Sequence, residues 1–189
     1  MDASYRYKVE DLTHELDAGE YIARFRDVER FRKFCTTCTQ YGKSWGCPPF
    51  DFDEEDYISG YDRALIVLTK ITPEDPMIPF LEITRLILPE RLRIERQLLD
   101  MEKKYGGRAF SYIGTCLHCS EALGCTRPLH QPCRHPDLVR PSLESFGFDI
   151  GKTTHELFGI DIKWRRGDFV PEYLLLVSGF FHNDQSAVW

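Results

Sequence analysis

The chain has 189 residues, of which 42% are hydrophobic, and a formal net charge of −6. That length and balance suit one sizeable core, read as a single domain over residues 1–189, and argue against a disordered chain. No apolar run approaches the roughly eighteen residues of a membrane helix. An acidic surface has little attraction for phosphate backbones, so neither nucleic acid nor a membrane is expected as a partner.

The opening "MDASYRYKVEDL" is polar and acidic where a secretory signal is basic and then apolar, which points to the cytoplasm. From Glu20 to Phe34, Ile22, Phe25, Val28 and Phe31 recur three apart between charges, which predicts one helix delivering the chain to Cys35. Residues 39–62, rich in Gly, Pro and Asp, read as an irregular loop. "RALIVLTKI" (63–71) predicts a buried strand. In residues 80–105, Ile83, Ile87, Ile94, Leu98 and Met101 recur at helical spacing. Pro89 is expected to kink or restart that helix, and Gly106 and Gly107 to stop it.

"RAFSYIG" (108–114) predicts a second strand, giving a strand-helix-strand crossover with parallel strands. Pro141 opens a short helix closed near Gly147, and another closes near Gly159. "IDIKW" (160–164) and "EYLLLVSGFF" (172–181) read as two more strands around a turn at 166–168, and the tail from His182 is expected to be loose. The predicted fold class is α/β, with α+β as the alternative. It combines a mixed sheet, the crossover, flanking helices and two cysteine-rich metal-binding loops.

All seven cysteines fall in two blocks. In a reducing compartment, clustered cysteines more often bind metal or do redox chemistry than form disulfides. The second block, "CLHCSEALGCTRPLHQPCRHP", spaces Cys116, Cys119, Cys125 and Cys133 as C-x2-C-x5-C-x7-C, a complete set of four thiols. A four-iron four-sulfur cluster, [4Fe-4S], needs one thiolate per iron, and a compact loop bearing Gly and Pro can wrap it. Structural zinc needs the same number but favours tighter knuckles, so the spacing tilts toward a cluster without excluding zinc.

The first block, "CTTCTQYGKSWGCPPF", offers only Cys35, Cys38 and Cys47 as C-x2-C-x8-C-P-P. Its Cys-Pro step also closes the bacterial ferredoxin run. Trp45 and Tyr41 could shield a cluster, or simply pack in the core. Three ligands mean either an iron left open or a fourth donor from elsewhere, with His118, His130 and His135 as candidates against the commoner reading of hydrogen-bonding histidines. A thioredoxin-like couple is less economical with two such pairs. Arg134, Arg140 and His135 stand beside the second block, where they could offset cluster charge. The alternative is pairing of the arginines with Asp137 or Glu144. Ser142 and Glu144 read as parts of a helix start.

On "CTTCTQYGKSWGCPPF", the second block through "CRHP", and "RPSLESFGFDI" (140–150), the chain resembles an uncharacterised prokaryotic cysteine-rich family described as predicted metal-binding proteins. The resemblance implies that all seven cysteines are metal ligands and supplies no reaction. Three functional readings remain. The first is an iron-sulfur protein that carries electrons to or from a redox partner protein, with [4Fe-4S] on the second block and a second site on the first. The others are a zinc-stabilised scaffold and an enzyme with an open iron at the three-cysteine block.

Overall fold

The computed structural model describes residues 5–111, 114, 116–120, 122–165 and 167–189. In chain order these form β1 (Tyr7–Asp17), α1 (Ala18–Phe25), α2 (Val28–Thr36), α3 (Glu54–Ile58), β2 (Arg63–Pro73), α4 (Ile83–Tyr105), β3 (Arg108–Phe110), α5 (Ile150–Phe158) and β4 (Leu174–His182), with short 3₁₀ turns between. The strands make one sheet in the order β1-β2-β4-β3, every pair antiparallel.

β2 is buried from Ala64 to Leu68 because it lies inside the sheet with both faces covered, so its sequence does not alternate. The pleat nevertheless divides it. Leu65, Val67 and Ile71 face a layer with Leu86, Ile94, Leu98 and Met101 of α4. Ala64, Ile66 and Leu68 face an aromatic layer with Tyr21, Phe25, Phe110, Phe146, Phe148 and Phe181. β4 divides likewise, Leu174, Leu176 and Phe180 against Val177 and Phe181.

The mixed α/β character is as expected, but the mixed sheet is corrected to an antiparallel one, the α+β form. β2 and β3 both run antiparallel to β4 and therefore point the same way, joined by α4 as the expected crossover. β4 lies between them because it is buried on nearly its whole length, whereas β3 has only three residues and sits at the edge. At Gly107, φ is +100° and a Cβ would stand 2.3 Å from the Phe181 carbonyl oxygen, so only glycine allows the chain to turn from α4 onto β4.

Other expectations change. The helix over 20–34 is two helices, because Asp27 caps α2 by accepting from Arg30 N (3.0 Å) while its own amide donates to the Gly147 carbonyl (2.8 Å). Conversely α4 runs through Pro89 unbroken, since Leu86 on one side and Ile94 on the other bury against the same sheet face. α3 lies within the stretch read as irregular. Residues 160–164 form no strand, and β1, an edge strand with mostly solvated side chains, had no apolar run to announce it. Tyr112 and Ile113 of the second expected strand, Thr115 at the start of the second block and Arg166 of the expected turn lie outside the described residues.

The tail is tied down rather than loose: Trp189 Nε1 donates to Asp11 Oδ2 (2.9 Å). Asp11 also accepts from Thr69 (2.6 Å) and from both terminal nitrogens of Arg93 (2.7 and 2.9 Å), which in turn pairs with Glu90. Burial alone would raise the Asp11 carboxyl, but the bonds from Arg93, Thr69 and Trp189 outweigh it and hold the group below its ordinary value. A depressed carboxyl contributes stability that is complete above its unfolded value, near pH 4, and is lost as pH falls through the folded one. Denaturant melts of the parent and Asp11→Asn are expected to differ most at neutral pH and to converge on acidification. A gap independent of pH would remove the role given to the charge.

Candidate metal centre

α2 places Cys35 in its last turn, and successive turns then fold the first block. Cys38 N donates to the Cys35 carbonyl (3.0 Å), Tyr41 N to that of Cys38 (3.2 Å) and Cys47 N to that of Ser44 (3.1 Å). Gly42 N closes the loop on the Pro48 carbonyl (2.9 Å). The result is a cavity of about 200 Å³ lined by Cys35, Cys38 and Cys47, with Ser142, Glu144 and Ser145 forming the wall from far along the chain.

In the second block, Leu123 N and Gly124 N both donate to the Ser120 carbonyl, and His130 adopts a left-handed conformation after the turn at Arg127–Leu129. Cys116, Cys119, Cys125 and Cys133 line one cavity of about 310 Å³ together with His118, His135 and Trp45. The seven cysteines are all free and divide between two cavities; Gln40 lines both.

Arg127 locks the blocks together, donating to the carbonyls of Ser44, Cys47 and Pro49 with its guanidinium 5.2 Å from the Trp45 ring. Trp45 Nε1 donates to Thr126 Oγ1 (3.1 Å). Trp45 therefore comes from the first block to wall the second cavity.

Two of the sulfurs receive hydrogen bonds from the amide two positions on: Gln40 N to Cys38 Sγ (3.5 Å) and His135 N to Cys133 Sγ (3.4 Å). Arg134 donates to Cys119 Sγ (3.7 Å) and to the Gly124 carbonyl (2.8 Å), so its cation does stand beside a thiol. Arg140 does not; it pairs with Glu102 (2.6 Å) rather than with Asp137 or Glu144. Burial pushes up the thiols of Cys35, Cys47, Cys116 and Cys133, and neighbouring thiols raise each further, because thiolates gathered in a cavity repel one another. A bound cation reverses that cost, so the donor set fits a metal.

Of the three candidate histidines, His118 and His135 line the four-thiol cavity and none lines the three-thiol one. His118 Nε2 lies 3.1 Å from Glu95 Oε1 of α4. Among the described residues no three His, Cys, Asp or Glu side chains are close enough to grip one metal ion. Rather, the thiols stand around the cavity walls.

The residue missed in the sequence is Glu144. It opens the one-turn helix Glu144–Phe146, fixed by reciprocal bonds of Ser142 N to Ser145 Oγ (3.1 Å) and Ser145 N to Ser142 Oγ (3.2 Å). Gly147 follows with φ +89°, and a Cβ there would lie 2.7 Å from Val28 Cα. That contact docks this turn on the start of α2, the helix that carries Cys35. Part of Glu144 reaches solvent, but its Oε2 is sealed and has no hydrogen-bond partner among the described residues. Burial holds its carboxyl above the ordinary value, against the opposing bonds of its own amide and Ser142. Only its position after the second block could have hinted at this.

An antiparallel α+β protein with two loop-built, thiol-lined cavities has the make-up of a metal-binding protein. The chain belongs to the family described as "Predicted metal-binding protein (DUF2284)", which matches residues 23–177, a span that includes every cysteine and Glu144. No curated protein and no solved structure was found to match it.

Proposed function

We propose that the protein is a cytoplasmic iron-sulfur protein that carries electrons or serves as a redox subunit beside a partner protein, with [4Fe-4S] held by Cys116, Cys119, Cys125 and Cys133. A second site lies on Cys35, Cys38 and Cys47. The observation that carries this reading is the meeting of four free thiols from one loop around a single cavity. Free thiols throughout suit a reducing compartment, and no helix among the described residues is long and apolar enough to cross a membrane.

When bound, the cluster supplies a one-electron store. The chain's own residues do the rest. Trp45 and Val139 wall the cavity against water, and the His135 amide and the Arg134 guanidinium point positive charge at two of the sulfurs. Donors of this kind stabilise the more negative, reduced state and raise a cluster's reduction potential.

Anaerobically purified protein is expected to be brown, with iron and acid-labile sulfide in equal amounts, and Cys125→Ser to lose one cluster's worth of both. Stoichiometric zinc without sulfide would overturn this reading in favour of a zinc-stabilised scaffold, which chelation should unfold with no redox signal.

A further inference from the structure

We infer that Glu144 is the fourth ligand of the metal centre held by Cys35, Cys38 and Cys47, completing a donor set of three thiolates and one carboxylate. This rests on the reading that the first block binds metal. Three observations converge on it. The three cysteines line a cavity with no fourth cysteine and no histidine among the described residues of its wall, and Glu144 lines the same cavity. Its Oε2 is enclosed and accepts no hydrogen bond among the described residues. A carboxylate oxygen sealed from water without a partner is costly, so such atoms call for an explanation, and an unfilled ligand position is one. Its place is held by the Ser142–Ser145 bonds and by the docking of Gly147 on the start of α2, the helix that carries Cys35.

Chemically, a carboxylate is a harder and weaker donor to iron than a thiolate. One corner of the centre is therefore distinct from the other three, and is the corner from which metal is lost first.

The test compares the full chain, purified and reconstituted anaerobically with iron and sulfide, as wild type, Glu144→Gln and Cys35→Ser. The readouts are iron, sulfide and zinc per chain and the paramagnetic resonance spectrum. Glu144→Gln keeps size and polarity but removes the anionic donor. It is expected to lose about a quarter of the first site's iron and to show, once oxidised, a three-iron signal stronger than that of the wild type. Metal-free Glu144→Gln should melt no lower than the wild type, since the amide is less costly to enclose than a carboxylate. Glu144→Ala, given the same readouts, separates ligand loss from any new bond made by the amide.

Metal content and spectrum unchanged in both Glu144 variants would overturn the inference. So would a Cys35→Ser variant indistinguishable from the wild type, although the four-thiol reading would then stand. If the wild type holds zinc and no sulfide, and Glu144→Gln releases it from the first site, Glu144 remains the ligand and the iron-sulfur reading falls.

Discussion

Phe146→Ala is expected to destabilise the protein by about 3–5 kcal/mol and to lower its melting temperature by roughly 10 °C. Phe146 is fully buried, with ring centroids 5.0 Å from Phe50, 5.1 Å from Tyr57 and 5.0 Å from Phe110. Truncation removes the apolar transfer energy of the ring and leaves a cavity among stiff aromatics that cannot easily collapse. Phe146→Leu should cost clearly less. Because Phe50 follows the Pro48-Pro49 step of the first block and Phe146 ends the turn of Glu144, the alanine variant should also bind less metal at the three-thiol cavity. A loss of under 1 kcal/mol in denaturant melts would mean that this turn is not part of the core.

Arg140→Met is expected to cost about 3–5 kcal/mol, as removal of one partner from a buried ion pair does. The side chains of Arg140 and Glu102 are 17% and 11% exposed, and the guanidinium meets both carboxylate oxygens at 2.6–2.9 Å. Glu102 also accepts from Ala109 N (2.7 Å), and Arg140 donates to the carbonyls of Pro136 (3.2 Å) and Val139 (2.9 Å). The pair therefore ties the end of α4, the start of β3 and the exit of the second cysteine block to one point. Most of the expected loss is the cost of leaving Glu102 charged without its cation, with only the Ala109 amide to meet it. Arg140→Met/Glu102→Gln should therefore recover a good part of it, and equal melts for the single and double variants would refute this account.

Much of the architecture was legible in the chain. "RALIVLTKI" and "EYLLLVSGFF" are apolar enough to name themselves as buried strands, and the stripe from Ile83 to Met101 names α4. The break at Asp27 was not, because the apolar period passes straight through it; the break exists to let Gly147 and Phe148 bond to the chain at Arg26 and Asp27. β1 was invisible because an edge strand needs few apolar residues once its neighbour supplies eleven paired positions. Strand order followed from burial competition between β3 and β4, which no local pattern encodes.

By itself the sequence determined which thiols are the candidates for the site. Thiol spacing is a local property, and four cysteines within one loop can be seen to form a set before any fold is known. Tertiary structure alone decided that the two blocks line separate cavities, that Arg127 and Trp45 join them, and that Glu144 lines the same cavity as Cys35. The reason is distance along the chain. Glu144 lies more than a hundred residues from Cys35, and the docking of its turn on α2 brings it to the cavity that the three thiols line.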